Sequence, residues 1–134
     1  MDGAQALSDL TEISSQIRTA IILDADGAAL AATVDEERKP ELARAVQELL
    51  AAVRRAAGNE EGELAQAEIA TGDGSVFLVR DEERTIAATT GPEPTVGLVF
   101  YDLKSCLRSF SEAKPKPKPR ARRPKTETEG DAAA

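Results

Sequence analysis

Apolar residues recur along the chain with two periods, and the switches between them lay out its elements. Leu7, Leu10, Ile13 and Ile17 follow at spacings of three and four, which predicts one face of a helix of about fifteen residues. Two short apolar runs, 19–23 and 28–34, flank Asp24-Ala25-Asp26-Gly27 and predict a β-hairpin closed by that turn. Pro40, after the polar run 35–39, and Gly58, after Ala57, are the start and stop signals of a second helix. At about 100° per residue, Leu42, Val46, Leu49 and Val53 centre its apolar face. Ala43, Ala45, Leu50, Ala52, Ala56 and Ala57 widen that face to roughly 180°, whereas covering one sheet needs roughly 100°.

After the polar stretch 58–62, the runs 64–71 and 75–80 around Gly72-Asp73-Gly74 predict a second hairpin, and Asp81-Glu82-Glu83-Arg84 leads into a fifth strand at 85–90. Gly91-Pro92-Glu93-Pro94 breaks the chain. Thr95 is the expected N-cap of a third helix whose face carries Val96, Val99, Leu103, Cys106 or Leu107, and Phe110. The order α-β-β-α-β-β-β-α gives an α/β (α+β) fold, a five-stranded antiparallel sheet with helices on both faces. The third strand alternates Gln66 and Glu68 with small Ala65 and Ala67, a pattern suited to a sheet edge that needs pairing or protection.

Charge divides the chain. Lys114, Lys116, Lys118, Arg120, Arg122, Arg123 and Lys125 alternate with Pro115, Pro117, Pro119 and Pro124, so neither helix nor sheet is expected there. An extended, disordered tail over 113–134 follows, beside a domain at 1–112. The tail's seven basic and three acidic residues leave ten against twenty-one in the rest of the chain: an acidic body carries a basic tail.

Composition narrows the function. No residue is histidine, which removes the usual general base and zinc ligand near neutral pH. With aromatics at 3% and no Trp, stacking on single-stranded bases is a poor fit. The apolar runs fall far short of the roughly 20 residues that span a bilayer, so no integral membrane association is expected. One cysteine, Cys106, cannot form an internal disulfide, and with no signal-like N-terminus the expected location is cytoplasmic.

The chemical motifs reduce to structural ones. An apolar strand ending in Asp24-x-Asp26 is where haloacid-dehalogenase-like phosphatases hold their nucleophile and acid, but Ala28 stands where that family usually continues with Thr. An Asp/Gly turn also closes hairpins routinely. As a calcium loop the segment fails at both ends, with Ile22 and Thr33 where carboxylates belong. Gly72-Asp73-Gly74 has no following Lys and precedes a strand, so it reads as a turn. Cys106, without a histidine to activate it, reads as core. Phe100 and Tyr101 point about 100° apart, so at most one shares the core face fully. The basic tail has no aromatic interleaving; it binds an acidic partner, nucleic acid or anionic lipid by charge, or is drawn to its own acidic body. No enzyme activity and no cofactor are expected.

Two stretches, residues 20–32 (AIILDADGAALAA) and 96–103 (VGLVFYDL), together with the element order, resemble the Roadblock / dynein light chain superfamily, with its profilin-like fold. The likeness is strongest to bacterial members encoded alongside small Ras-like GTPases. The resemblance implies a homodimer in which second helices pack side by side and third strands pair across a two-fold axis. The implied interface comprises Leu42, Ala45, Val46, Leu49, Ala52, Val53 and Ala56, with Ala67 and Ile69 from the third strand. It further implies a non-catalytic module that binds and regulates a small Ras-like GTPase. The alternative is a structural adaptor that dimerises and docks partners through the basic tail without affecting GTP turnover.

Overall fold

Asp2 caps the first helix, α1 (Gly3–Ile13), by accepting the Gln5 amide at 2.8 Å. In this computed structural model, which describes residues 2–58, 65–81 and 83–112, α1 is shorter than its apolar spacing predicts. Ser14 leaves helical geometry at φ −110°, ψ 99° while its amide still bonds to the Leu10 carbonyl at 2.8 Å. Ser14 and Ser15 compete for backbone groups and are poor helix interior residues. Ile17 therefore does not continue the helix; it opens β1 (Ile17–Leu23) and is buried in the same core as Leu7 and Leu10. Ile13 is 74% exposed.

The first hairpin joins β1 to β2 (Ala29–Ala32), a shorter strand than the apolar run 28–34. Asp24 organises its turn: one carboxylate oxygen accepts the amides of Asp26 at 2.9 Å and Ala28 at 3.0 Å, and Gly27 adopts φ +89°. The turn reading of this motif holds. The second hairpin joins β3 (Gln66–Thr71) to β4 (Gly74–Arg80), and β5 (Thr85–Thr90) follows. Gly74 lies so close to β5 that a Cβ there would overlap the Thr90 carbonyl oxygen.

The sheet order is β2-β1-β5-β4-β3, with every neighbouring pair antiparallel. The third strand stands at an edge, as its weak apolar pattern predicts. At the centre, Ile21 of β1 faces Ala87 of β5.

Alternate strand residues feed two cores. On one face Ile22, Phe77, Val79 and Ile86 pack under α1 and α3 (Val96–Glu112), which supplies Val99, Leu103, Cys106 and Leu107. Phe100 turns inward against Phe77, ring centroids 5.0 Å apart at 76°, an edge-to-face pair. Tyr101 points outward. Cys106 and Leu107 are both buried, whereas Val96, expected on the core face, is 38% exposed at the start of the helix. Thr95 accepts the first helical bond, from Val99, at 3.0 Å. On the opposite face α2 (Lys39–Ala56) lies mainly over β1 and β2. The polar connection at 59–64 and the basic tail lie outside the described residues.

Candidate functional site

The helix α2 covers only part of its face of the sheet. Ala43, Val46 and Leu50 are its buried residues, packed on Ile21, Leu23, Leu78 and Ala87. Sequence periodicity centred the face on Leu42, Val46, Leu49 and Val53; the sheet takes one flank of the apolar arc, and of these four only Val46 is fully buried. Leu42, Leu49 and Val53 are half-buried, and Ala45, Ala52 and Ala56 are exposed.

That tilt leaves a groove of about 150 Å³ between α2 and the uncovered strands. Leu42, Ala45, Val46 and Leu49 form its helical wall, and Ile21, Ala87 and Val76 lie on its floor. Its one polar mark is a hydrogen bond from Thr89 Oγ1 to Thr19 Oγ1 at 2.8 Å. Ala67 and Ile69 of β3, half-buried, belong to the same apolar layer further along the sheet. The groove thus gathers four of the nine predicted interface residues. Val53, Ala67 and Ile69 pack in the layer around it, and Ala52 and Ala56 line neither. Sequence reasoning missed Thr19, Val76 and Thr89, which strand alternation places on this face once β1, β5 and β4 are known to be neighbours. The seven basic tail residues predicted to act by charge lie outside the described residues.

The groove offers apolar contact, not reactive groups. Among the described residues no group of three or more His, Cys, Asp or Glu side chains is arranged to hold a metal ion. Burial, aided by the negative charge of Asp9, pushes the Cys106 thiol up to about 11, and its Sγ donates weakly to the Ala6 carbonyl at 3.5 Å. A thiol so held is a poor nucleophile. No helix among the described residues is long and apolar enough to cross a membrane.

A five-stranded antiparallel sheet with one helix on one face and two on the other defines a Roadblock/profilin-like fold. The Roadblock/LC7 domain model matches residues 4–90, and the chain belongs to that family. Its fold is similar to a Roadblock/LC7 domain from Streptomyces avermitilis, with 19% identity over 84% of this chain and 97% of that one and a TM-score of 0.69. It is also similar to MglB from Myxococcus xanthus, with 11% identity over 82% and 92% and a TM-score of 0.65. A third similar fold is the gliding protein MglB from Thermus thermophilus, with 14% identity over 81% and 84% and a TM-score of 0.63. No curated protein matches the chain in sequence.

Proposed function

We propose that the chain is a non-catalytic homodimeric module that binds and regulates a small Ras-like GTPase. The observation that carries this reading is the half-covered sheet face. Apolar side chains at Leu42, Leu49 and Val76 border an open groove, and the small exposed residue Ala45 on its helical wall allows a second helix backbone to approach closely. Burying apolar surface is worth about 25 cal/mol per Å², so a second α2 laid antiparallel over the groove is favoured. Edge strand β3 offers its free backbone groups to its counterpart in the same assembly. Membership of the Roadblock/LC7 family supports the GTPase as partner, with the outer side of the paired α2 helices, exposed at Arg44, Glu48 and Arg55, as the contact surface.

Sedimentation velocity at micromolar concentration tests the first part: two copies per particle are expected, and one copy with intact secondary structure would sink it. Mixing the chain with small Ras-like GTPases of its own organism, loaded with GDP or a GTP analogue, tests the second. A complex in one nucleotide state with an altered hydrolysis or exchange rate is expected; no complex in either state counts against regulation. Deleting residues 114–134 separates the adaptor reading, which loses all partner binding, from the regulator, which keeps it.

A further inference from the structure

On the opposite side of the sheet from α2, a second recess opens where the later turns of α3 meet the end of β4 and the start of β3. It encloses about 400 Å³. Buried Val79 and Leu107 form its floor, and three cationic side chains line it: half-buried Arg80 at the end of β4, and exposed Lys104 and Arg108 on α3.

These cations have no counter-charge within the domain. Among the described residues the side chains of Arg80, Lys104 and Arg108 make neither hydrogen bond nor ion pair. Lys104 and Arg108 lie one helical turn apart, a spacing at which like charges destabilise a helix, and Arg80 adds a third positive charge from the sheet side. One acid, Asp81, also lines the recess. Its Oδ1 is taken up in the β4–β5 connection, where it accepts the amides of Glu83 at 3.0 Å and Arg84 at 2.7 Å. Positive charge is scarce in residues 1–113, with ten Lys and Arg against twenty-one Asp and Glu. Three of those ten gather at this one recess, and against an acidic surround a positive recess steers anionic partners to itself.

The floor decides what kind of anion fits. A bare inorganic anion would meet the cations and leave Val79 and Leu107 facing water. A ligand that carries an apolar group between its negative charges covers the floor as well. In an extended peptide, carboxylates two residues apart stand roughly 7 Å from one another, close to the roughly 6 Å between side-chain roots one turn apart on a helix.

We propose that this recess binds an acidic peptide segment of a partner protein. Its carboxylates meet Arg80, Lys104 and Arg108, and an apolar side chain between them rests on Val79 and Leu107. The inference stands apart from the GTPase reading, since it concerns the other face of the sheet.

Amide chemical shifts of the full-length chain test it, with a capped glycine-glutamate-leucine-glutamate-glycine peptide as probe. The probe is expected to shift the signals of Val79, Arg80, Lys104 and Arg108 and to leave those of Ala45 and Ala52 in place. Combining Arg80→Gln, Lys104→Gln and Arg108→Gln is expected to weaken this binding about tenfold. A peptide with serine in place of leucine is expected to bind more weakly, and equal binding removes the apolar floor from the proposal and overturns it. Inorganic phosphate that gives the same shifts at the same concentration also overturns it and assigns the recess to small anions. Shifts confined to residues 114–125, shifts centred elsewhere, no shifts, or binding that survives the triple substitution overturn it too. If the triple variant fails to fold, the native chain still decides. Raising salt to about 1 M, where charges are screened within roughly 3 Å, must remove most of the shift at Lys104 and Arg108, and shifts that persist overturn the proposal.

Discussion

The guanidinium carbon of Arg84 sits 4.7 Å from the centroid of the Phe110 ring. Arg84 is 8% exposed, and its amide donates to Asp81 at 2.7 Å, so the β4–β5 connection and the last turn of α3 are clasped by one cation over one ring. Phe110→Leu keeps an apolar side chain and removes the ring, and is expected to lower unfolding free energy by about 1 kcal/mol. Urea denaturation of the two proteins measures it; equal midpoints would show that the clasp contributes nothing.

Leu49 lies half-buried at the rim of the α2 groove. Leu49→Glu places a charge that can reach water in one subunit but not beneath a second helix. A folded, single-copy particle is expected, with unchanged far-ultraviolet circular dichroism and half the native mass in sedimentation velocity. An unchanged dimer would contradict the proposed interface.

Two glycines of one hairpin should behave oppositely. Gly74→Ala drives a methyl into the Thr90 carbonyl oxygen and is expected to cost about 2 kcal/mol or more, because backbone on both sides must move. A Cβ at Gly72 meets nothing within 4 Å, so Gly72→Ala should stay within about 0.5 kcal/mol. Thermal unfolding of the pair checks the contrast.

Alkaline stability should report on Cys106. Its folded thiol keeps its proton up to about 11 against an ordinary 9.0, so between those values the unfolded state binds fewer protons. The stabilisation is complete below pH 9 and is lost as pH rises through 11. Unfolding free energies measured from about pH 8 to 11 are expected to fall more steeply for the native chain than for Cys106→Ala; parallel curves would refute it.

Much of the architecture was written locally. The Asp24 to Gly27 turn, the Pro40 start and Gly58 stop of α2, and the alternation of β3 each act within a few residues, so element order and the edge place of β3 could be read from spacing and turn chemistry. Ile17 misled because it shares a core with Leu7 and Leu10: periodicity records which side is buried, not whether the backbone between has left the helix. The α2 groove was half legible for a similar reason. Its helical wall, Leu42 to Leu49, shows in the apolar arc, but which flank the sheet takes depends on how α2 lies across β1 and β2. The floor at Thr19, Val76 and Thr89 exists only once strands far apart in sequence become neighbours.

The central ladder sets the timing of folding. Ile21 and Ala87 are partners although most of the domain's length separates them along the chain, so β1 emerges from the ribosome long before the strand that must lie at its inner side. Until residues 85–90 are made, the first hairpin has no inner neighbour, and the backbone groups along that side of β1 wait for their partners. Such distant pairing slows collapse to the native state, and the nascent first half is where a chaperone would have most to hold.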